Sequence, residues 1–158
     1  MDNRITHIRK LVISDSIKKT AGKLRKLVVV KSNIDSPKKT ISYIGFDIES
    51  IEMDDSLISY IDFNKQMIFI NKSLNEKESN FALGKIIGNI LYNRNDLVYK
   101  LNKNINDYTS EQFAYDYLLP ELPFIKNYIL CKNKKHLSNK YRVPEEQIKT
   151  RIRQLGLK

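Results

Sequence analysis

Lys85 and Asn89 are the polar side chains best placed for chemistry, because they lie four residues apart in a stretch with helical periodicity. A four-residue step puts two side chains on one face of a helix, and Ile86 lies beside them. A lysine ammonium and an asparagine amide can contact an acidic or amide group of a partner. Lys85 and Asn89 are therefore candidate binding residues.

The stretch from Ser73 to Asn93 is the strongest predicted helix of the chain. Its apolar residues recur at steps of three and four, the spacing of a helix with one buried face. These residues are Leu83, Ile87, Ile90 and Leu91. A capping box at its start is formed either by Ser73 with Glu76 or by Asn75 with Glu78. This helix positions Lys85 and Asn89.

Three strands are predicted before this helix. Residues 46–53 alternate apolar and polar side chains, with Phe46, Ile48 and Ile51 toward the core. Residues 57–71 predict a hairpin with Asn64-Lys65 at the turn. A short helix over 38–44, preceded by Ser36-Pro37 and closed by Gly45, leads into the first strand. The polar, asparagine-rich stretch 94–107 predicts loop or frayed helix.

The segment FALGKIIGNILY resembles the helix of the ImmA/IrrE family of zinc metallopeptidases, which carries a His-Glu-x-x-His motif after a Phe-x-Leu lead-in. The matching residues are Phe81, Leu83 and Gly88. On this pattern Lys85 stands where the first zinc histidine is expected, Ile86 replaces the general-base glutamate and Asn89 replaces the second histidine. The resemblance thus implies that all three chemical positions are lost.

Two further signatures of the family follow in the expected order. Residues 110–123 are similar to a Phe-Ala-x-x-Leu-Leu-x-Pro helix, with core packing expected for Phe113, Leu118 and Leu119. Before this helix the family carries an acidic zinc ligand, for which Asp107 and Glu111 are both candidates. Residues 136–158 are similar to the family's closing helix-turn-helix-like element, with helices predicted over 137–141 and 145–155 and Gly156 at the end. The matching residues are Leu137, Tyr141, Val143, Ile148, Arg151, Ile152, Leu155, Gly156 and Leu157.

The resemblance covers residues 36–157 and implies an α+β fold. We expect a small three-stranded antiparallel sheet packed against a mainly helical, zincin-like domain with a C-terminal helix-turn-helix-like element. The predicted divisions are a basic helical segment over 1–35, the metallopeptidase-like core over 36–125 and the basic C-terminal element over 126–158.

The same resemblance implies a catalytically inactive member without cofactor or metal. The family acts on repressor-type regulators and is often carried on phages and mobile elements. A degenerate member is therefore expected to bind such a protein in its cleft, through Lys85, Asn89, Asp107 and Glu111. Alternatively, Lys85 pairs with Asp107 or Glu111 and replaces the charge of zinc.

Charge is unevenly distributed along the chain, with basic ends around an acidic middle and a net charge of +10. Clustered cations steer binding to phosphates or to an acidic protein surface. The alternative function is therefore a nucleic-acid-binding regulator. Its candidate contacts are Lys18, Lys19, Lys23, Lys26, Lys140, Arg142, Lys149, Arg151 and Arg153. The first four belong to a predicted helix with Ile17, Ala21, Leu24 and Val28 on its other face, although residues 27–31 also suit a short strand.

Composition supports a cytoplasmic protein of one domain. The chain has 158 residues, of which 41% are hydrophobic, and a single cysteine, Cys131, which excludes an intrachain disulfide. No apolar run approaches the roughly 20 residues of a membrane span, and we expect neither a signal peptide nor a membrane partner.

Overall fold

The computed structural model describes residues 16–32, 37–92, 98–102 and 107–158, which form seven helices and four strands. The helices are α1 (Ile17–Ser32), α2 (Pro37–Tyr43), α3 (Glu76–Tyr92), α4 (Tyr108–Leu118), α5 (Glu121–Cys131), α6 (Lys134–Tyr141) and α7 (Glu145–Gln154). The strands are β1 (Asp47–Ile51), β2 (Leu57–Asp62), β3 (Met67–Asn71) and β4 (Val98–Asn102). The predicted α+β class is confirmed.

The sheet differs from the expected three antiparallel strands. Its four strands lie in the order β1-β3-β2-β4, and β1 runs parallel to β3 with Ile48 opposite Ile68. The hairpin of β2 and β3 is present, and Asp62 accepts hydrogen bonds at its turn from the backbone amides of Asn64 and Lys65 at 3.0 Å. The fourth strand, β4, lies where loop or frayed helix was predicted and pairs antiparallel with β2.

The helix α1 packs on the domain through the face predicted from its periodicity. Ala21, Leu24 and Val28 are buried in a cluster that includes Ile41 of α2 and Ile87 of α3. Residues 27–31 are helical rather than a strand. The predicted cap Ser36 and the division at residue 35 lie outside the described residues. Because one cluster contains residues from both sides of that division, the helix α1 belongs to the core of the domain.

The helices α3 and α4 cross closely because two glycines of α3 lie at the contact. A β-carbon on Gly88 would stand 2.9 Å from the Phe113 β-carbon and 3.1 Å from the Ser110 backbone oxygen. A β-carbon on Gly84 would stand 2.9 Å from the Leu118 side chain. Because Gly84 and Gly88 have no side chains, α3 and α4 can approach each other closely.

A second cluster joins α4 to the C-terminal helices. Phe113 and Leu119 are fully buried as expected, and Leu119 lies in this cluster with Phe124, Leu137 and Ile148. The predicted two-helix element is present as α6 and α7, with α6 starting three residues earlier than expected. Gly156 has a φ of 63° just after α7, in the left-handed region that favours glycine at a helix end. The C-terminal element therefore shares its core with α4.

Candidate functional site

The capping box at the start of α3 is formed by Asn75 and Glu78. The Asn75 side-chain oxygen accepts hydrogen bonds from the backbone amides of Lys77 and Glu78, at 3.0 and 3.1 Å. The Glu78 carboxylate accepts one from the Asn75 amide at 2.9 Å. Of the two alternatives predicted, this pair fixes where α3 begins and hence which turn carries Lys85.

Lys85 lies on the wall of a cleft of about 380 Å³ between α3, α4, β2 and the start of α7. Apolar side chains line much of this cleft, namely Ile58, Leu74, Phe81, Ala82 and Pro144. Its polar lining residues are Glu78, Lys85, Glu111 and Gln147. The cleft thus presents one cation and two carboxylates against an apolar wall.

Asn89 lies one turn further along α3 and is buried, with 1% of its surface exposed. Its side-chain amide donates a hydrogen bond to the Asp107 carboxylate over 3.4 Å. Asp107 caps α4 by accepting from the Ser110 backbone amide at 3.1 Å and from the Ser110 hydroxyl at 2.6 Å. Asn89 and Asp107 therefore join α3 to the start of α4, outside the set of residues that lines the cleft.

The structure divides the residues predicted for the partner-binding cleft into two pairs. Lys85 and Glu111 line the cleft, whereas Asn89 and Asp107 form the interhelical contact. Helical spacing was correct, but burial of Asn89 at the α3–α4 contact withdraws it from a partner. Ile86, at the position of the general base, is completely buried in the main core cluster. Its role is packing.

The expected ion pair of Lys85 with Asp107 or Glu111 is not formed. Within the described part of the chain, the Lys85 ammonium makes neither an ion pair nor a hydrogen bond. Glu111 instead acts electrostatically on Tyr115, one turn along α4. Burial raises the pKa of Tyr115 to about 12, and the negative charge of Glu111 acts in the same direction. The cleft therefore retains an ammonium group available to an anionic or carbonyl ligand.

The residues predicted to contact nucleic acid are only partly available. Arg151 is buried, donating to the Asp116 carboxylate at 2.8 Å and to the Leu119 carbonyl at 3.0 Å, which removes it from the set. Lys18 pairs with Glu121. Four other predicted cations each contact a neighbouring polar or acidic side chain. These contacts are Arg142 with Glu76, Lys149 with Glu146, Lys140 with Asn127 and Arg153 with Thr150. The cations of α1 and α7 thus do not form one continuous unpaired surface.

Sequence reasoning missed the apolar wall of the cleft. Ile58 and Pro144 come from β2 and the start of α7, which are distant from α3 in the chain, so no local pattern joins them. Leu74, by contrast, precedes the capping box and could have been found as a residue that packs near the first turn of α3. Phe81 was noted as part of the family motif without being assigned to the cleft.

The residues at the expected metal site do not fit zinc. A lysine ammonium repels a divalent cation, and the Asn89 amide nitrogen is directed at Asp107. The Asn89 oxygen is buried and accepts no hydrogen bond from the part of the chain that the structure describes. The described residues contain no group of three histidine, cysteine, aspartate or glutamate side chains that could hold a metal ion. The donor chemistry therefore disagrees with a His-Glu-x-x-His centre.

Comparison with known proteins identifies a family. The family model described as IrrE N-terminal-like domain, of the peptidase type, matches residues 25–153. No curated protein and no solved structure matches the chain. None of the described helices is long and apolar enough to cross a membrane. Since the match covers most of the sequence and contains the first two signatures and most of the third, the chain belongs to the ImmA/IrrE family of metallopeptidase-like proteins.

Proposed function

We propose that this protein is a catalytically inactive ImmA/IrrE member that acts by binding a repressor-type protein regulator in the α3 cleft. The observation that carries the proposal is the position of Lys85. Its ammonium lies on the cleft wall, at the place where the family motif has a zinc histidine, and forms no ion pair with a described residue. It is the group most suited to bind a carboxylate or carbonyl oxygen of the partner.

Catalysis by the family's usual chemistry lacks its essential groups. A zinc peptidase needs three protein ligands, an open position for water and a carboxylate that takes the proton of that water. Ile86 is apolar and sealed in the core, and Asn89 is engaged with Asp107. We therefore assign these two positions to stability and Lys85 to binding.

The shape of the cleft suits a short segment of a protein. About 380 Å³ holds one or two side chains, while the remainder of a partner would lie on the surrounding surface. The wall of Ile58, Leu74 and Phe81 favours an apolar side chain. Beside that apolar side chain, Lys85 favours an acidic group of the partner and Glu111 favours a hydrogen-bond donor or a cation. A segment combining an apolar residue with an acidic residue meets both requirements.

Binding to helix-turn-helix repressors, measured by calorimetry, tests this function. The wild-type protein should bind one such repressor without cleaving it, and Lys85→Glu should weaken binding at least tenfold, about 1.4 kcal/mol. Lys72→Glu is the matched control, since Lys72 is exposed and does not line this cleft. Repressor cleavage by metal-loaded wild-type protein would overturn the proposal.

The alternative, a nucleic-acid-binding regulator, has less support. The buried Arg151 and the pairing of Lys18 with Glu121 reduce the cations available to phosphate. Binding to random duplex DNA at two salt concentrations distinguishes the functions, because each phosphate contact makes the affinity more sensitive to salt. Tight, steeply salt-dependent binding that Lys85→Glu leaves unchanged would favour the alternative.

A further inference from the structure

The helix α5 has large apolar side chains on two sides, although only one side contacts the rest of the described residues. Phe124 and Tyr128 are buried, and the Phe124 ring packs against Tyr141 with a centroid distance of 5.6 Å. On the opposite side Leu122, Ile129 and Leu130 are 77%, 65% and 75% exposed. Large apolar side chains gathered on an exposed surface often mark an interaction site, so the outer side of α5 calls for a partner.

The exposed side chains form one surface. Leu122, Lys126 and Ile129 follow one another at steps of four and three residues, and Leu130 lies four residues after Lys126, which places them along one helix face. Elsewhere in the described ranges, the other large apolar residues that are exposed are Leu27 and Tyr108, on α1 and α4. We call the surface of Leu122, Lys126, Ile129 and Leu130 the outer α5 face. It concentrates apolar exposure that single surface residues would not explain.

The charged side chains of α5 after its first residue, and of the segment that follows it, have one sign. No acidic residue occurs between Leu122 and Pro144. Exposed cations stand within α5 and just after it, namely Lys126, Lys132, Lys134 and Lys135. The acid at the start of α5, Glu121, is bound to Lys18. An occupant must therefore combine apolar side chains with negative charge.

We propose that the outer α5 face docks an acidic amphipathic helix of a partner protein. Another helix suits it because its protruding side chains can pack into the grooves of a second helix. A second copy through the same face would place like charges together. Nucleic acid would leave the apolar residues uncovered, and a membrane surface is distinguished by the vesicle measurement below. The face is separate from the α3 cleft, to which α5 contributes no residue.

The test uses the full-length protein and a fluorescent synthetic peptide as the probe. The peptide, about 18 residues long, carries leucine at helical spacing on one face and glutamate on the other. A control peptide has the same composition in scrambled order. We expect anisotropy to show binding of the first peptide at least about tenfold tighter than that of the scrambled one. Equal affinity for both peptides, or no binding, would overturn the proposal.

Variants of the outer α5 face separate the apolar from the electrostatic contribution. Leu122→Gln with Ile129→Gln, and separately Lys126→Glu with Lys132→Glu, should each weaken peptide binding about tenfold. Tyr108→Ser and Lys72→Glu are the matched controls, since both residues are exposed at other sites. All four side chains changed in α5 and after it are exposed, so these variants should keep the wild-type circular dichroism spectrum.

Three other occupants are distinguished in the same experiment. Binding to vesicles of phosphatidylcholine and phosphatidylserine, or to duplex DNA, that exceeds peptide binding and is lost in the Lys126→Glu with Lys132→Glu variant would overturn the proposal. So would a wild-type dimer in analytical ultracentrifugation that the Leu122→Gln with Ile129→Gln variant converts to a monomer. A monomer that binds only the amphipathic acidic peptide supports it.

Discussion

Asn89 donates a hydrogen bond to Asp107, and this contact joins the position of the family's second zinc histidine to the acidic residue that caps α4. At the position of the family's zinc ligand this chain has the buried amide of Asn89. Asp107, a candidate acidic ligand, accepts hydrogen bonds from Ser110. The region therefore has a structural role in which the helices α3 and α4 are tied together without a metal ion.

Exchange of the Asn89 and Asp107 side chains tests this role. Asn89→Asp would place two carboxylates in contact at a buried site, so it should reduce the free energy of unfolding by about 3 kcal/mol. Adding Asp107→Asn should recover most of that loss, because the hydrogen bond then forms in the reverse direction and asparagine also caps helices well. Urea denaturation provides the measurement. A single variant as stable as the wild type would contradict the contact.

The close crossing of α3 and α4 predicts an order among three glycine substitutions. Gly88→Ala should destabilise by about 1–2 kcal/mol, because the new methyl group meets backbone atoms of Ser110. Gly84→Ala should lose less, since the end of the Leu118 side chain can move. Gly22→Ala, with open space at its β-carbon, should gain about 0.5–1 kcal/mol. Thermal melts of all three variants measure the order. A larger loss of stability for Gly22→Ala than for Gly88→Ala would contradict it.

The sequence predicted helices better than it predicted the sheet. Helical periodicity is local, so α3 and the buried face of α1 followed from the spacing of residues such as Leu24 and Ile87. Strand order is not local. The short strand β4 lies in an asparagine-rich stretch, and its partner β2 is about 40 residues earlier in the chain. The alternation of apolar and polar residues in β1 likewise does not show that β1 pairs with β3, or that the two strands run parallel.

The candidate site was predicted in part for a similar reason. Spacing placed Lys85 and Asn89 on one face of α3, but only the crossing helix decides which of them is buried. Arg151 was also predicted to contact nucleic acid, which requires an exposed side chain. Asp116, 35 residues earlier in the chain, instead binds Arg151 in the interior. Pairwise contacts between distant elements decide such cases, and a single sequence does not show them.

The buried pair of Asp116 and Arg151 predicts strong non-additivity. Arg151→Ala should cost about 3–5 kcal/mol, because it leaves the Asp116 carboxylate buried without its cation. Replacing both residues, as Asp116→Leu with Arg151→Met, should cost much less than the sum of the single changes. A double-mutant cycle measured by urea denaturation gives the coupling. Additive costs would show that the pair does not act as a unit.

The raised pKa of Tyr115 predicts a loss of stability at high pH. Folding holds the phenol proton up to a pKa of about 12, whereas the unfolded chain releases it near the ordinary value of 10.0. This contribution to stability is therefore complete below about pH 10 and is lost as the pH rises toward 12. The difference between the ultraviolet titrations of wild-type protein and Tyr115→Phe isolates this phenol. A titration midpoint near 10 would contradict its burial.

Zinc binding tests the central claim most directly. Wild-type protein dialysed against zinc and then against buffer, with the metal measured by mass spectrometry, should hold no more zinc than an Asp107→Asn, Glu111→Gln variant does. That variant removes both candidate acidic ligands, while asparagine keeps the cap of α4. Equal, substoichiometric zinc in both proteins is the predicted result. One zinc per wild-type chain that the variant loses would contradict the assignment of Lys85 to binding and restore a metal centre at the cleft.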